Sequence, residues 1–160
     1  MGRFNFNQKD FLKTKRDAIK FYKNINFVIC SYFKEKIIFN SKGLKHLRFK
    51  SDKRARPYKD QYPRLKLIKY APEILKKSHT LQGILNIKKI ESQKTNSRWE
   101  HIMKEVVYYE FIAVLDNIRI KLIIKQIAGA EKYFWSIIPF WGIDKSNSKR
   151  TLHSGNPESD

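Results

Sequence analysis

Cysteine is nearly missing from this sequence. Cys30 stands alone, so neither an intrachain disulfide nor a thiolate metal cage can form. Long apolar runs are missing as well: the longest stretches, Val106–Leu115 and Phe134–Trp141, fall far short of a membrane span. The opening residues MGRFNFNQKDFLKTKRD hold no apolar run of the secretory type. These absences point to a soluble cytoplasmic protein with no membrane partner. No GxxxxGK[ST] or GxGxxG loop is available to cradle a nucleotide, and HExxH and CxxC are absent. The histidines His46, His79, His101 and His153 lie too far apart for local metal-ligand spacing. Carboxylates are sparse, and Glu91, Glu105, Glu110 and Asp116 show no pairing of the kind a two-metal nuclease uses. Neither a metal nor a cofactor is expected.

What is abundant is positive charge. Thirty-four Lys and Arg face 15 Asp and Glu, a net charge of +19 that self-repels unless an anionic partner relieves it. Nucleic acid leads the candidates, followed by an acidic protein. A hydrophobic share of 41% is enough to bury a core, and 160 residues fit a single domain.

Apolar spacing predicts a helix over 7–23, with Phe11, Leu12, Ile19 and Tyr22 on one side and Lys13, Arg16, Lys20 and Lys23 on the other. Asn7 or Asp10 can cap it. Two strand-like runs, Phe27–Tyr32 and Lys36–Asn40, lead to a helix over Lys42–Phe49 with Ser41 as N-cap. Residues 50–60 read as a basic loop broken by Pro57. A helix over Tyr62–Lys77 follows, with Pro63 in its first turn and Pro72 kinking or dividing it. A strand begins at Gly83, and Ser97–Lys104 reads as either a loop or a helical turn. Val106–Leu115, Ile118–Ile127 and Lys132–Trp141 read as three strands, joined by a tight turn at Asp116-Asn117 and a longer one over Ala128–Glu131. The fold class is therefore α+β, with N-terminal helices packed on a C-terminal antiparallel sheet of about four strands. Residues 1–35 form a helix and lead-in strand, 36–142 a single α+β domain, and 143–160 a flexible tail.

Alternation decides where the charge goes. Ile118, Ile120, Leu122 and Ile124 share one strand face, while Arg119, Lys121 and Lys125 share the other. One face is core and the opposite face positive, as a surface for a phosphate backbone would be; simple solvation of the sheet is the alternative. The helix SKGLKHLRFK places Lys42 and Lys45 near one another and His46 beside Lys42 and Lys50, and runs on into Arg54 and Arg56. From residue 42 to 69, eleven Lys or Arg stand against two Asp. The late aromatic stretch YFWSIIPFW carries one small hydroxyl, Ser136. Its rings, like Tyr108 and Tyr109, suit either core packing or base stacking.

A strand IIFN, the helix KGLKHLRFK, a second helix and a meander ending in FWSIIPFW together resemble the BECR group of nucleases, which includes barnase-like, EndoU-like, colicin-tRNase-like and RelE-like members, many from phages and mobile elements. The resemblance covers roughly residues 36–141. It implies helices on an antiparallel sheet and metal-independent endoribonuclease activity, in which the ribose 2′-hydroxyl attacks its own phosphate. By position it makes His46 the general acid or base, Arg48 or Lys50 a phosphate contact, Ser136 the late hydroxyl and Lys125 a sheet-borne cation. His101 is the candidate second histidine. Lys42, Lys45, Lys50, Arg54, Arg56, Arg119, Lys121 and Lys125 form the expected RNA-binding set. A toxin or phage-derived effector with RNA as substrate, and an acidic antitoxin or immunity protein as partner, is the corresponding biology. The alternatives are a non-catalytic RNA- or DNA-binding module and a basic protein docking an acidic partner.

Overall fold

Asn7 accepts the Asp10 amide on its side chain (2.9 Å), which satisfies one of the orphan donors at the start of helix α1, Gln8–Ile25. In the computed structural model, which describes residues 7–140 and 154–160, this helix buries Phe11, Ala18 and Tyr22 and ends at Asn26, whose φ is 59°. The buried stripe runs through Ala18, so Leu12 is left exposed. Strands β1 (Phe27–Cys30) and β2 (Glu35–Ile38) form an antiparallel hairpin. Helix α2, Ser41–Arg48, is capped by Asn40 and not by Ser41: the Asn40 side chain accepts the Gly43 amide at 3.2 Å. Gly43 is required where it stands. A Cβ there would lie 2.3 Å from the Phe134 carbonyl oxygen and 2.5 Å from the Tyr22 hydroxyl.

The expected loop over 50–60 is more ordered than its composition suggests. Strands β3 (Phe49–Ser51) and β4 (Arg54–Ala55) pair as a small hairpin, and helix α3 runs from Tyr58 to Leu67. Pro63 therefore sits inside α3, not in its first turn. A 3-10 turn, Ile68–Tyr70, precedes helix α4, Ala71–Lys77. Pro72 occupies the start of α4, where its missing N–H costs nothing, so of the two outcomes expected of it, a kink or a division, the stretch 62–77 shows the division.

Strands β5 (Gly83–Thr95), β6 (Arg98–Leu115), β7 (Ile118–Ile127) and β8 (Tyr133–Pro139) form an antiparallel meander. Asp116 and Asn117 turn with φ of 49° and 61°, and Asn96 and Ser97 with 49° and 67°. Both pairs adopt the two-residue geometry that matches strand twist. The stretch 97–104 is thus strand, continuous with β6. The sheet has six strands, not about four, in the order β1-β2-β8-β7-β6-β5. The N-terminal hairpin supplies the additional two, joining through the parallel pairing of β2 with β8 at Ile38↔Tyr133. A register shift between Ile123 and Ile124 makes Trp135 an extra residue in β8.

Helices cover one face of the sheet. There Phe11 and Tyr22 of α1, Leu47 of α2, Leu65 of α3 and Leu75 of α4 share an apolar cluster with Phe111, Ile120, Leu122, Ile124, Phe134 and Ile137. Residues before 35 thus share one core with those after it. The opposite face carries a smaller cluster around Val106, Tyr108, Ile123, Ile127 and Tyr133. Residues 154–160, expected within a flexible tail, pack on this second face; Trp141 and the rest of that tail, residues 143–153, lie outside the described residues. Among the described residues no helix is long and apolar enough to cross a membrane.

Candidate functional site

The bulge in β8 turns both Trp135 and Ser136 toward the second face, where strict alternation would have allowed only one of them. His46 reaches the same place from α2 and stacks on Trp135 with ring centroids 3.9 Å apart. Arg56, directly after β4, grips His46 twice: its Nε donates to the His46 carbonyl (2.8 Å) and its Nη2 to the ring Nε2 (3.1 Å). Gln61 holds Arg56 in turn by donating to its carbonyl at 2.7 Å. Arg64 projects from α3, and β7 contributes Lys121 and Lys125.

These groups converge on one short segment. Arg64 Nη2 and Nε lie 3.0 and 3.3 Å from the main-chain oxygen of Asp160, and Ser136 Oγ donates to the same oxygen at 2.7 Å. Arg56 Nη2 donates to the Ser159 carbonyl at 3.1 Å. Lys121 sits 3.0 Å from Glu110 and 3.7 Å from the Asp160 carboxylate. Lys89 pairs with Glu158, and Trp135 Nε1 donates to the Glu158 carbonyl at 3.2 Å. A cleft of about 360 Å³ opens beside them, lined by Lys50, Arg56, Asp60, Arg64 and residues 154, 159 and 160.

Burial sets the electrostatics. His46 is 7% exposed, and desolvation, reinforced by Arg56, Arg64, Lys125 and Lys89, holds its pKa far below the usual value, at about 2. At neutral pH the ring is therefore uncharged, and its Nε2 accepts from Arg56. Desolvation, then neighbouring Arg56, lowers Arg64 to about 9, which leaves it a cation at pH 7. Desolvation also lowers the amine of Lys125, against the opposing pull of Glu91 at 3.2 Å. Close by, the hydroxyls of Tyr108 and Tyr133 are buried without a hydrogen-bond partner among the described residues, and burial raises the pKa of both phenols. The arrangement is suited to holding oxygens: two guanidinium forks, a hydroxyl and two lysines in a poorly hydrated trough.

Of the residues singled out in the sequence, His46, Arg56, Ser136, Lys121 and Lys125 come together here, with Lys50 on the cleft wall. Arg48 remains half-buried next to the Phe49 ring. Lys42, Lys45 and Arg54 are exposed outside it, Lys45 pairing with Asp52, and Arg119 is exposed toward the start of β7. The pairing of His101 with His46 is corrected. His101 lies on the two-stranded extension of β5 and β6 beyond Val106, hydrogen-bonded to Ser92, and alternation turns it to the face opposite Tyr108. Sequence reasoning missed Arg64, Lys89 and the segment 158–160, and left Trp135 between core packing and base stacking. A cation inside the apolar stretch YPRLKLI was the available signal for Arg64. Nothing local marked Lys89 or the segment 158–160. Among the described residues no group of three or more His, Cys, Asp or Glu is placed to hold a metal ion. No protein-family model, curated protein or solved structure matches the chain.

Proposed function

We propose that this cleft binds RNA by its phosphates and cleaves it without a metal, as the BECR-like pattern of the sequence implies for a toxin or phage-derived effector in the cytoplasm. The observation that carries the reading is that Arg56, Arg64, Ser136 and Lys121 are all directed at oxygens of one short segment. In the reaction the ribose 2′-oxygen forms a bond to the adjacent phosphorus and gives up its proton. The bond from phosphorus to the 5′-oxygen breaks, and that oxygen takes a proton. Arg56 and Arg64 spread the charge on the non-bridging oxygens, and Ser136 Oγ donates to one of them. Lys125, its amine lowered by burial, is the group suited to carry a proton. His46, uncharged and accepting from Arg56, orients that guanidinium. An acidic antitoxin or immunity protein would meet the same cations.

A second reading, RNA binding without cleavage, is favoured by one feature: a histidine with a pKa near 2 is a poor proton carrier at neutral pH. Single-stranded RNA incubated with excess EDTA separates the two. Cleavage by the wild type, lost by about 100-fold in Arg64→Met and in Lys125→Met, supports the enzyme. Cleavage undiminished in both, and in His46→Ala and Ser136→Ala, discards this site. Salt-sensitive binding with the RNA left intact transfers the conclusion to the binding module.

A further inference from the structure

The segment 154–160 is folded upon itself before it meets the sheet. The Ser154 amide and Oγ both donate to Asp160 Oδ1, at 2.7 and 2.6 Å, and the Asn156 carbonyl accepts the amides of Ser159 (3.1 Å) and Asp160 (3.0 Å). This knot presents successive oxygens outward, from Glu158, Ser159 and Asp160, and each meets a cation or hydroxyl donor: Lys89, Arg56, then Arg64, Ser136 and Lys121. A line of oxygens against a line of cations is the pattern a phosphodiester backbone would also present. The means of attachment is polar. Within 154–160 only Pro157 and Asp160 are buried, and Ser154, Gly155, Asn156 and Ser159 are exposed. Little apolar area is therefore forfeited on release, and the contacts that are lost are the ones an incoming phosphate restores.

We infer that residues 154–160 are an intramolecular competitor for the oxyanion site, occupying the cations beside the cleft until a polyanion displaces them. That the polyanion is RNA rests on the function proposed above; the displacement by phosphate groups does not. Apparent affinity is the intrinsic affinity multiplied by the fraction of molecules from which the segment has left the site. The segment also supplies a carboxylate to Lys89 and, beside Glu110, a second one to Lys121.

Hydrogen exchange of residues 154–160 in the full chain tests this, with a single-stranded RNA oligomer and with pyrophosphate as separate probes, alongside RNA affinity of the full-length double variant Glu158→Gln, Asp160→Asn. The expected result is faster exchange of 154–160 in the wild type under saturating RNA, and RNA binding tighter by about tenfold in the variant. Faster exchange under pyrophosphate with no RNA binding keeps the competitor and removes RNA as its rival. RNA bound with 154–160 still protected overturns the competitor while sparing the RNA reading. Protection unchanged under both probes overturns it outright, and the wild-type arms stand even if the variant does not fold.

Discussion

The two faces of this sheet are drawn from the same strands yet are sealed by different physics. On the helix side, Phe111, Leu122, Ile124, Phe134 and Ile137 meet apolar side chains from all four helices. On the other side, β7 sends in Lys121 and Lys125, β8 sends in Ser136, and the cover is a seven-residue acidic segment. The first face loses stability whenever it is opened, because the area it buries has no alternative partner except water. The second face holds charges that need oxygens near them but do not require these particular oxygens. A durable seal and an exchangeable one thus share a single layer of backbone.

Three measurements sharpen or break that contrast. The largest effect belongs to the apolar side: Leu122→Ala, at a fully buried position, should lower unfolding free energy by about 3 kcal/mol in urea titration. A loss under about 1 kcal/mol would mean that this side is not the durable one. Next comes His46. Below pH 6.5 the unfolded chain takes up a proton that the folded ring, at about 2, refuses, so stability is intact above 6.5 and falls as pH drops toward 2. Between pH 6.5 and 5 the fall should reach about 2 kcal/mol, since one unit is worth about 1.4 kcal/mol. His46→Asn should flatten that dependence, and an unchanged slope would show that the imidazole charges in the folded state. The smallest effect is Ser136→Ala, about 1 kcal/mol, because the Asp160 oxygen it leaves keeps Arg64 as a donor. A cost matching that of Leu122→Ala would make the polar cover as obligatory as the core.

Much of the architecture was legible residue by residue. Alternation marked β7 and assigned Lys121 and Lys125 to the face opposite Ile120 and Leu122, and Asp116-Asn117 marked its turn. The stretch 97–104 resisted reading because its residues pair with β5 alone, where no buried face imposes a pattern. The basic stretch at 50–60 read as loop because β3 and β4 are too short to show a period. In the site, His46 and Ser136 were visible as unusual residues in patterned segments. Arg64 was one cation among eleven, marked only by its place in the apolar stretch YPRLKLI, and the fold buries it together with Arg56.

Periodicity and turn chemistry act between neighbours, so the order of residues alone is enough to specify an α+β chain with a meander and to put Lys121 and Lys125 opposite Ile120 and Leu122. That this second face is buried, with Val106, Tyr108, Ile123 and Ile127 beside the two lysines, and is not the open positive surface expected, is a result of tertiary packing. Which cations meet is decided in the same way. Arg56, Arg64, Ser136 and Asp160 are separated by as many as 104 positions. They are brought within hydrogen-bonding distance by the capped approach of α2 to β8, by the bulge at Trp135 and by the return of residues 154–160. Each of these is a long-range packing choice, settled by the free energy of the whole fold and not by any local preference.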